Sequence, residues 1–521
     1  MGKNKIEWVK IPLSRRQMLK STAAFSAVMA SSSFSNAWAQ SGSTLRGRTY
    51  ADMRSLDPAF SQGVSDEEIH ACIYNKLIQF KPGSKWEWQL DAAADIEQVD
   101  TTHIKFALKD NIGFTNGFGA MTAEDVKFSF ERVADEKMES PNKPDMDALS
   151  HVEVTGEREG VIVLKSPFQP LWTISLPYIT GNIVSKKAFE SVGGRIDTEV
   201  VATSGPYTHF SWEPKQKTTL RANPDWKGEK VAFDEVQIFH IDDEKTAEIA
   251  FEAGELDFTR VSLASLERLK ANPPSNSTVE GFPSLYYVWV GMNLNNPKLS
   301  NLKLRQAIQH AIDVPSILEA AYFGVAEAST GIIAPGLIGN RASNKVPSEA
   351  NIEKARQLLK ESGESNVSLR ISILNKQANV TTAQIVQANL AAIGISLEID
   401  LHEAATFWEL GGNENLELVI NRYSMTPDPY YATSWFICEQ AGVWNWEGHC
   451  NEEFDRIHKE GPGELDVGKR NAMYQRAQDI MEESGAYKFI THEYTPNIYR
   501  NSIKPALRPD GLPLYRYFQR S

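Results

Sequence analysis

The sequence predicts an α/β protein of two or three domains, and three observations carry that expectation. The chain has 521 residues, and the roughly 480 left after an N-terminal leader exceed what one hydrophobic core organises. From Ile352 to Leu401 strands and helices alternate, the pattern of a mostly parallel sheet with covering helices. The third is the stretch Leu285 to Asp313, LYYVWVGMNLNNPKLSNLKLRQAIQHAID. Its apolar run from Leu285 to Val290 is too short for an ordinary helix and reads as a strand buried on both faces. Asn293, Asn295, Asn296 and Pro297 then make a turn, since Asn tolerates unusual backbone angles and Pro fixes φ. Leu304, Ala307, Ile308 and Ala311 fall on one face of a helix, and Asp313 caps a second helix that Gly324 ends.

The first 39 residues read as an export leader. Ser14-Arg15-Arg16-Gln17-Met18-Leu19-Lys20 is a twin-arginine pattern, followed by an Ala- and Ser-rich apolar stretch and an A-x-A site at Ala37-Trp38-Ala39. Cleavage near Ala39 would place the mature chain in the periplasm. The leader holds six basic residues against Glu7, so its loss moves the formal charge from −13 to about −18. Such an acidic chain does not bind nucleic acid or an anionic membrane surface through its net field. No other run reaches the length of a spanning helix, so direct membrane insertion is not expected.

In order, Thr49 to Pro58 reads as a strand and a turn ending in Leu56-Asp57-Pro58, and Asp66 to Phe80 as a helix with Ile69, Ile73 and Leu77 inward. Trp86 to Lys109 reads as short strands. Thr122 and Asp125 form a capping-box variant before a helix through Val126, Phe130 and Val133. Val152–Val154 and Val161–Leu164 pair around a Gly-bounded turn. Ala253-Gly254 closes a helix. Further on come a helix from Ile352, a strand Val367–Leu374, a helix Ala383–Ile393, and strands Ile395–Leu401 and Leu416–Ile420. An aromatic strand Leu512–Phe518 is expected to return to the first domain.

Several of these segments together resemble the peptide-type, family 5 solute-binding proteins of ABC importers. The segments are Thr122, Asp125, Val126, Phe128, Ser129 and Arg132; Ile183-Val184-Ser185-Lys186; Gly205-Pro206-Tyr207; Arg221, Asn223, Pro224 and Trp226; Ala253-Gly254-Glu255 with Asp257; and Arg305-Gln306-Ala307-Ile308 with Ala311-Ile312-Asp313. They keep the family's order over nearly the whole mature chain. The resemblance implies a two-lobed periplasmic-binding-protein fold with an inserted α+β accessory domain and two interlobe crossings, near Tyr286–Asn293 and Phe489–Glu493. The implied partition is 40–85, 201–288 and 491–521 for lobe I, 86–200 for the accessory domain and 289–490 for lobe II. It also implies a monomeric receptor for a peptide or small-molecule ligand, with ABC permease subunits as partners and no cofactor. An opine, sugar or other small polar conjugate is the alternative ligand.

Nothing in the sequence forms a catalytic or metal constellation. His402-Glu403 and His492-Glu493 lack the second His of a zinc helix, and there is no C-x-x-C, phosphate loop or G-x-S-x-G elbow. A Tat-exported hydrolase or redox enzyme is the remote alternative. Cys438 and Cys450 either bridge a short loop or stay reduced, and His449 beside them belongs to that loop or to a metal site.

Three regions are candidates for ligand contact. The loop Gly63-Val64-Ser65-Asp66 faces the cleft in the family, or else Ser65 caps the helix. Asn421, Arg422, Tyr423, Met425 and Asp428 lie at the carboxyl end of a strand, where open α/β sheets bind ligands. Tyr430, Trp435, Trp444 and Trp446 belong to the loop of the two cysteines and serve either core or cleft. Dipeptide-binding relatives place an Asp three residues before the D-P pair, against the peptide's α-amino group; here that position is Met425. Arg422 replaces a Trp, and it either holds an anionic ligand group or pairs with a structural carboxylate.

Overall fold

The apolar run at Leu285 is the end of a much longer strand. The computed structural model describes residues 44–196, 199–412 and 416–521, so the leader lies outside the described residues. Residues from Leu45 onward form one compact unit. At its centre is a six-stranded sheet of β1 (Phe258–Arg260), β2 (Ser277–Met292), β3 (Ser368–Leu374), β4 (Ser396–His402), β5 (Leu418–Ser424) and β6 (Tyr487–Arg500), in the order β1-β6-β2-β5-β3-β4. Only β3 with β4 and β3 with β5 run parallel; β5–β2, β2–β6 and β6–β1 are antiparallel. The sequence alternation that predicts a parallel sheet is confined to β3 and β4, and β6 enters from far along the chain.

The strand β2 extends upstream of Leu285 because Ser277 to Pro283 pair with Tyr494 to Arg500 through backbone bonds, which leave no apolar pattern. On its downstream half, Val288 and Val290 enter a core with Leu304, Ile308, Ile371 and Leu390. Tyr287 and Trp289 point into another core with Phe436, Tyr487 and Phe489. This half of the strand is buried on both faces, as its sequence requires.

The Asn turn closes as its residue types dictate. Asn293 donates to Leu416 O, Asn296 Oδ1 accepts from Lys298 N, and Asn301 and Asp313 cap Leu302–Ala311 and Val314–Ala321. Thr122 and Asp125 form a capping box on Ala123–Ala134. That helix packs on a four-stranded antiparallel sheet that includes Leu149–Val154 and Glu159–Leu164, around a separate core with Phe106, Phe130 and Ile162.

Some elements differ from the sequence reading. The first strand is Thr44–Thr49, ahead of the predicted one. The helix expected over Asp66–Phe80 is Val64–Ile73, with Ile78–Phe80 a strand paired to Trp88–Leu90. Apolar residues continue at helical spacing beyond Ile73, but Tyr74 is already extended. Leu512–Phe518 does return to the first core, through Tyr515 and Phe518, yet as a turn of 3₁₀ helix at Tyr515–Tyr517.

Cys438 and Cys450 form a disulfide. Within its loop, Asn445 Nδ2 donates to Phe436 O and His449 O, and Cys438 N donates to Asp455 Oδ1. Replacing both cysteines by serine should lower stability by about 3 kcal/mol, by the chain-entropy estimate for a loop of this length. Urea unfolding with and without reductant checks this, since only the wild type should respond to reduction.

Candidate functional site

The register of β2 against β6 shifts at two places, between Val288 and Trp289 and, more widely, between Pro283 and Tyr287. Pro283 pairs with Tyr494 and Tyr287 with His492, so four steps along β2 meet two along β6. Such a bulge bends a strand and re-aims its side chains. Ser284, Leu285 and Tyr286 on one strand and Glu493 on the other line a cavity of about 590 Å³. Arg260, the last residue of β1, and Val261 just beyond it border the cavity, and Arg422, Ser424, Met425 and Thr426 border it at the carboxyl end of β5. The short helix Pro429–Ser434 contributes Tyr430 and Tyr431, with Trp435 just beyond. Asp145, Phe168 and Tyr178 close another wall, and Arg508 and Asp510 a further corner.

The lining is aromatic and charged. Six tyrosines accompany Phe168 and Trp435, together with Arg260, Arg422 and Arg508 and the carboxylates of Asp145, Glu244, Glu493 and Asp510. Arg422 donates to both Glu493 oxygens at 2.8 and 2.7 Å, and its guanidinium lies 3.7 Å from the Tyr286 ring centroid. Arg508 grips Asp510 in the same two-point way, at 3.1 and 2.7 Å. Burial raises the Glu244 carboxyl, while Arg48 and Arg260 oppose that shift.

Of the candidate residues in the second and third regions, Arg422, Met425, Tyr430 and Trp435 line the cavity. Met425 is 4% exposed, with Sδ accepting from Ala334 N. Asp428 is 1% exposed and fully engaged: Arg470 donates to it at 2.8 and 3.0 Å, Thr173 at 2.9 Å and Tyr430 N at 2.9 Å. It fastens Pro429–Ser434 to the segment carrying Phe168, and the Phe168 and Tyr430 rings meet edge to face. Asn421 and Tyr423 lie behind the wall, Tyr423 donating to Trp444 O at 2.6 Å.

Trp446 is buried against Phe407, and Trp444 is 41% exposed and packs on Trp408 and Trp435. Neither borders the cavity, because the disulfide loop turns Trp446 into its own small core. Of the first candidate loop, Gly63 and Val64 line the wall while Ser65 and Asp66 do not. The helix cap is Gly63, at φ 92°, in place of Ser65. Asp66 accepts from Arg54 N and Gln62 N, and burial raises its carboxyl to about 6.

Sequence reasoning missed Arg260, Asp145, Tyr286 and Tyr431 as wall residues. Tyr286 sits inside the organising stretch and Tyr431 follows the D-P pair, so both carried a signal. Arg260 and Asp145 are lone charges in unpatterned segments. Among the described residues no cluster of His, Cys, Asp or Glu is arranged to hold a metal, and no helix is long and apolar enough to cross a membrane.

Residues 87–442 match the model of the bacterial extracellular solute-binding proteins, family 5. A probable D,D-dipeptide-binding periplasmic protein, DdpA of Escherichia coli, is 25% identical over 84% of this chain and 86% of its own. The structure superposes on HbpA2 of Haemophilus parasuis with a TM-score of 0.80 at 22% identity, over 92% of this chain and 99% of that one. It superposes on DppA of Helicobacter pylori in complex with the peptide STSA with a TM-score of 0.73 at 24% identity, over 91% and 97%. The bulged crossing strands and the cavity they open thus sit in a two-lobed binding-protein fold, and the chain belongs to the family 5 bacterial extracellular solute-binding proteins.

Proposed function

We propose that the protein is a periplasmic receptor that captures a peptide between two lobes and delivers it to an ABC permease. The observation that carries this is the bulge where β2 and β6 cross, since it opens a cavity whose walls come from chain segments on both sides of the crossing. A ligand touching both sides only when they are closed shifts the population toward closure. The volume falls within the range of small-molecule sites, and micromolar capture needs about −8 kcal/mol.

Relatives named for dipeptide, di/tripeptide and glutathione binding support the peptide class. In this reading 40–85, 201–288 and 491–521 are lobe I, 86–200 the accessory domain and 289–490 lobe II. Residues 1–39 are a twin-arginine leader removed near Ala39, and the mature protein acts as a monomer in the periplasm. Arg422, Met425, Tyr430 and Trp435 are the ligand contacts this reading keeps from the three candidate regions.

Native mass spectrometry of the mature protein, taken gently from its own periplasm and repeated after unfolding, tests the reading. A releasable peptide mass is expected; a sugar or opine in its place would overturn the peptide class. Trp435→Ala should weaken capture of that peptide at least about tenfold, the order for a buried aromatic contact. Titration calorimetry would read it, and unchanged affinity would remove Trp435 from the site.

A further inference from the structure

We propose that Asp145 holds the cationic group of the ligand, the free α-ammonium of a peptide, inside a ring of aromatic side chains. The inference rests on the peptide reading and assigns its polarity. Three of the four cavity carboxylates already face cations. Glu493 is gripped by Arg422 and Asp510 by Arg508, while Glu244 lies in the fields of Arg48 and Arg260. Asp145 is left without a cation. Its backbone is fixed, because N donates to Asn142 O and O accepts from Ser175 Oγ at 2.5 Å, but among the described residues its carboxylate has no hydrogen-bond or ion-pair partner.

The surroundings suit an ammonium. The electrostatic field of Asp145 reaches both Tyr430 and Tyr431. Tyr430 meets Phe168 edge to face, and Tyr431 meets Trp435 at 5.2 Å between ring centroids. Aromatic faces around a desolvated cation are attractive, and most so when a carboxylate is present as well. Thr426 Oγ1, shielded from water on a residue that lines the same cavity, has no partner among the described residues and can accept a hydrogen bond. Burial, reinforced by the charge of Asp147, pushes the Asp145 carboxyl up to about 7. A cation docked beside it would restore its ionised form. With Asp145 ionised beside such a cation, the lining has four carboxylates against three arginines, and the bound cation supplies the balancing charge.

Position 425, where dipeptide-binding relatives are expected to carry the acid, holds a thioether packed on Ala334 N. The counter-charge would instead come from Asp145 on the turn Lys143–Met146, whose carbonyl is held by Ser175, two residues beyond the Thr173 that bonds Asp428. Ammonium capture would therefore tie that wall to the one carrying Tyr430 and Tyr431, which is the contact closure needs.

The test uses the mature protein and two pools of the same random tetrapeptides, one with free and one with acetylated N-termini. Bound masses are read by native mass spectrometry and affinities by calorimetry. The wild type should retain free-amine peptides and bind acetylated ones at least about thirtyfold more weakly, the loss expected when one partner of a desolvated charge pair is removed. Asp145→Asn should erase that preference while leaving acetylated peptides unaffected. Its unliganded melting should not fall, because the carboxylate bonds nothing among the described residues. A preference that survives in Asp145→Asn would overturn the assignment and leave the peptide reading intact. Retention of neither pool would overturn both.

Discussion

Arg132→Ala should lower the unfolding free energy by roughly 3–5 kcal/mol, the range for removing one member of a buried ion pair. Nη1 and Nη2 of Arg132 donate to the two oxygens of Asp57 at 2.7 and 2.8 Å, and the Asp57 side chain is wholly buried. The guanidinium also donates to Gly194 O and lies 4.7 Å from the Phe189 ring centroid. Asp57 in turn accepts from Ala59 N, so the pair pins the Leu56-Asp57-Pro58 turn against the helix Ala123–Ala134. Truncating the arginine leaves an uncompensated carboxylate that water does not reach. Arg132→Lys should recover only part of the loss, because an ammonium cannot make the planar two-point contact. Urea unfolding of both variants, with Asp57→Asn completing a double-mutant cycle, measures the coupling. A loss under about 1 kcal/mol for Arg132→Ala would mean that Asp57 finds water or another donor.

That pair marks where the sequence stops being legible. The capping box and apolar face of Ala123–Ala134 are local, set by residues three or four apart, and could be read directly. The destination of Arg132 lies 75 residues away, and no periodicity records it. The same division runs through the fold. The Asn turn, its caps and the doubly buried end of β2 follow from residue types. The upstream half of β2 is held by backbone bonds to β6, and its length could not be read from side chains. In the site, Arg422, Met425 and Trp435 could be located because they flank a D-P pair at the end of a strand. Arg260 and Asp145 reach the wall only through long-range packing. Trp444 and Trp446 share a loop with Trp435 but not its direction, since the disulfide and Asn445 set how that loop folds.

Glu447→Gln should change the pH dependence of stability by about 3 kcal/mol across the range from pH 4.5 to 8.5. Glu447 is 1% exposed beneath Gly291, and its Oε1 accepts from Trp289 Nε1 at 2.7 Å. Burial raises its carboxyl to about 7, against which the Trp289 hydrogen bond acts as a smaller opposing influence. In the unfolded chain an ordinary glutamate titrates near 4.3. The folded state therefore holds a proton that the unfolded state has released, and this favours folding at low pH. The contribution is complete below the unfolded value and is lost as pH rises through about 7. At about 1.4 kcal/mol per unit, the full span between the two values amounts to roughly 4 kcal/mol, of which about 3 falls between pH 4.5 and 8.5. Glutamine imitates the neutral acid at every pH, so its variant lacks this dependence. Total stability cannot isolate the effect, because the buried His449 and His492 and the half-buried His458 are each lowered to about 4 by desolvation. They weaken the fold as pH falls below their unfolded value, opposite in sign to Glu447. The difference between variant and wild type cancels them. It should favour the variant progressively as pH rises, with most of the change between pH 5 and 8. A difference that stays flat would mean that Glu447 is ionised throughout, with a cation or water in the core beside Trp289.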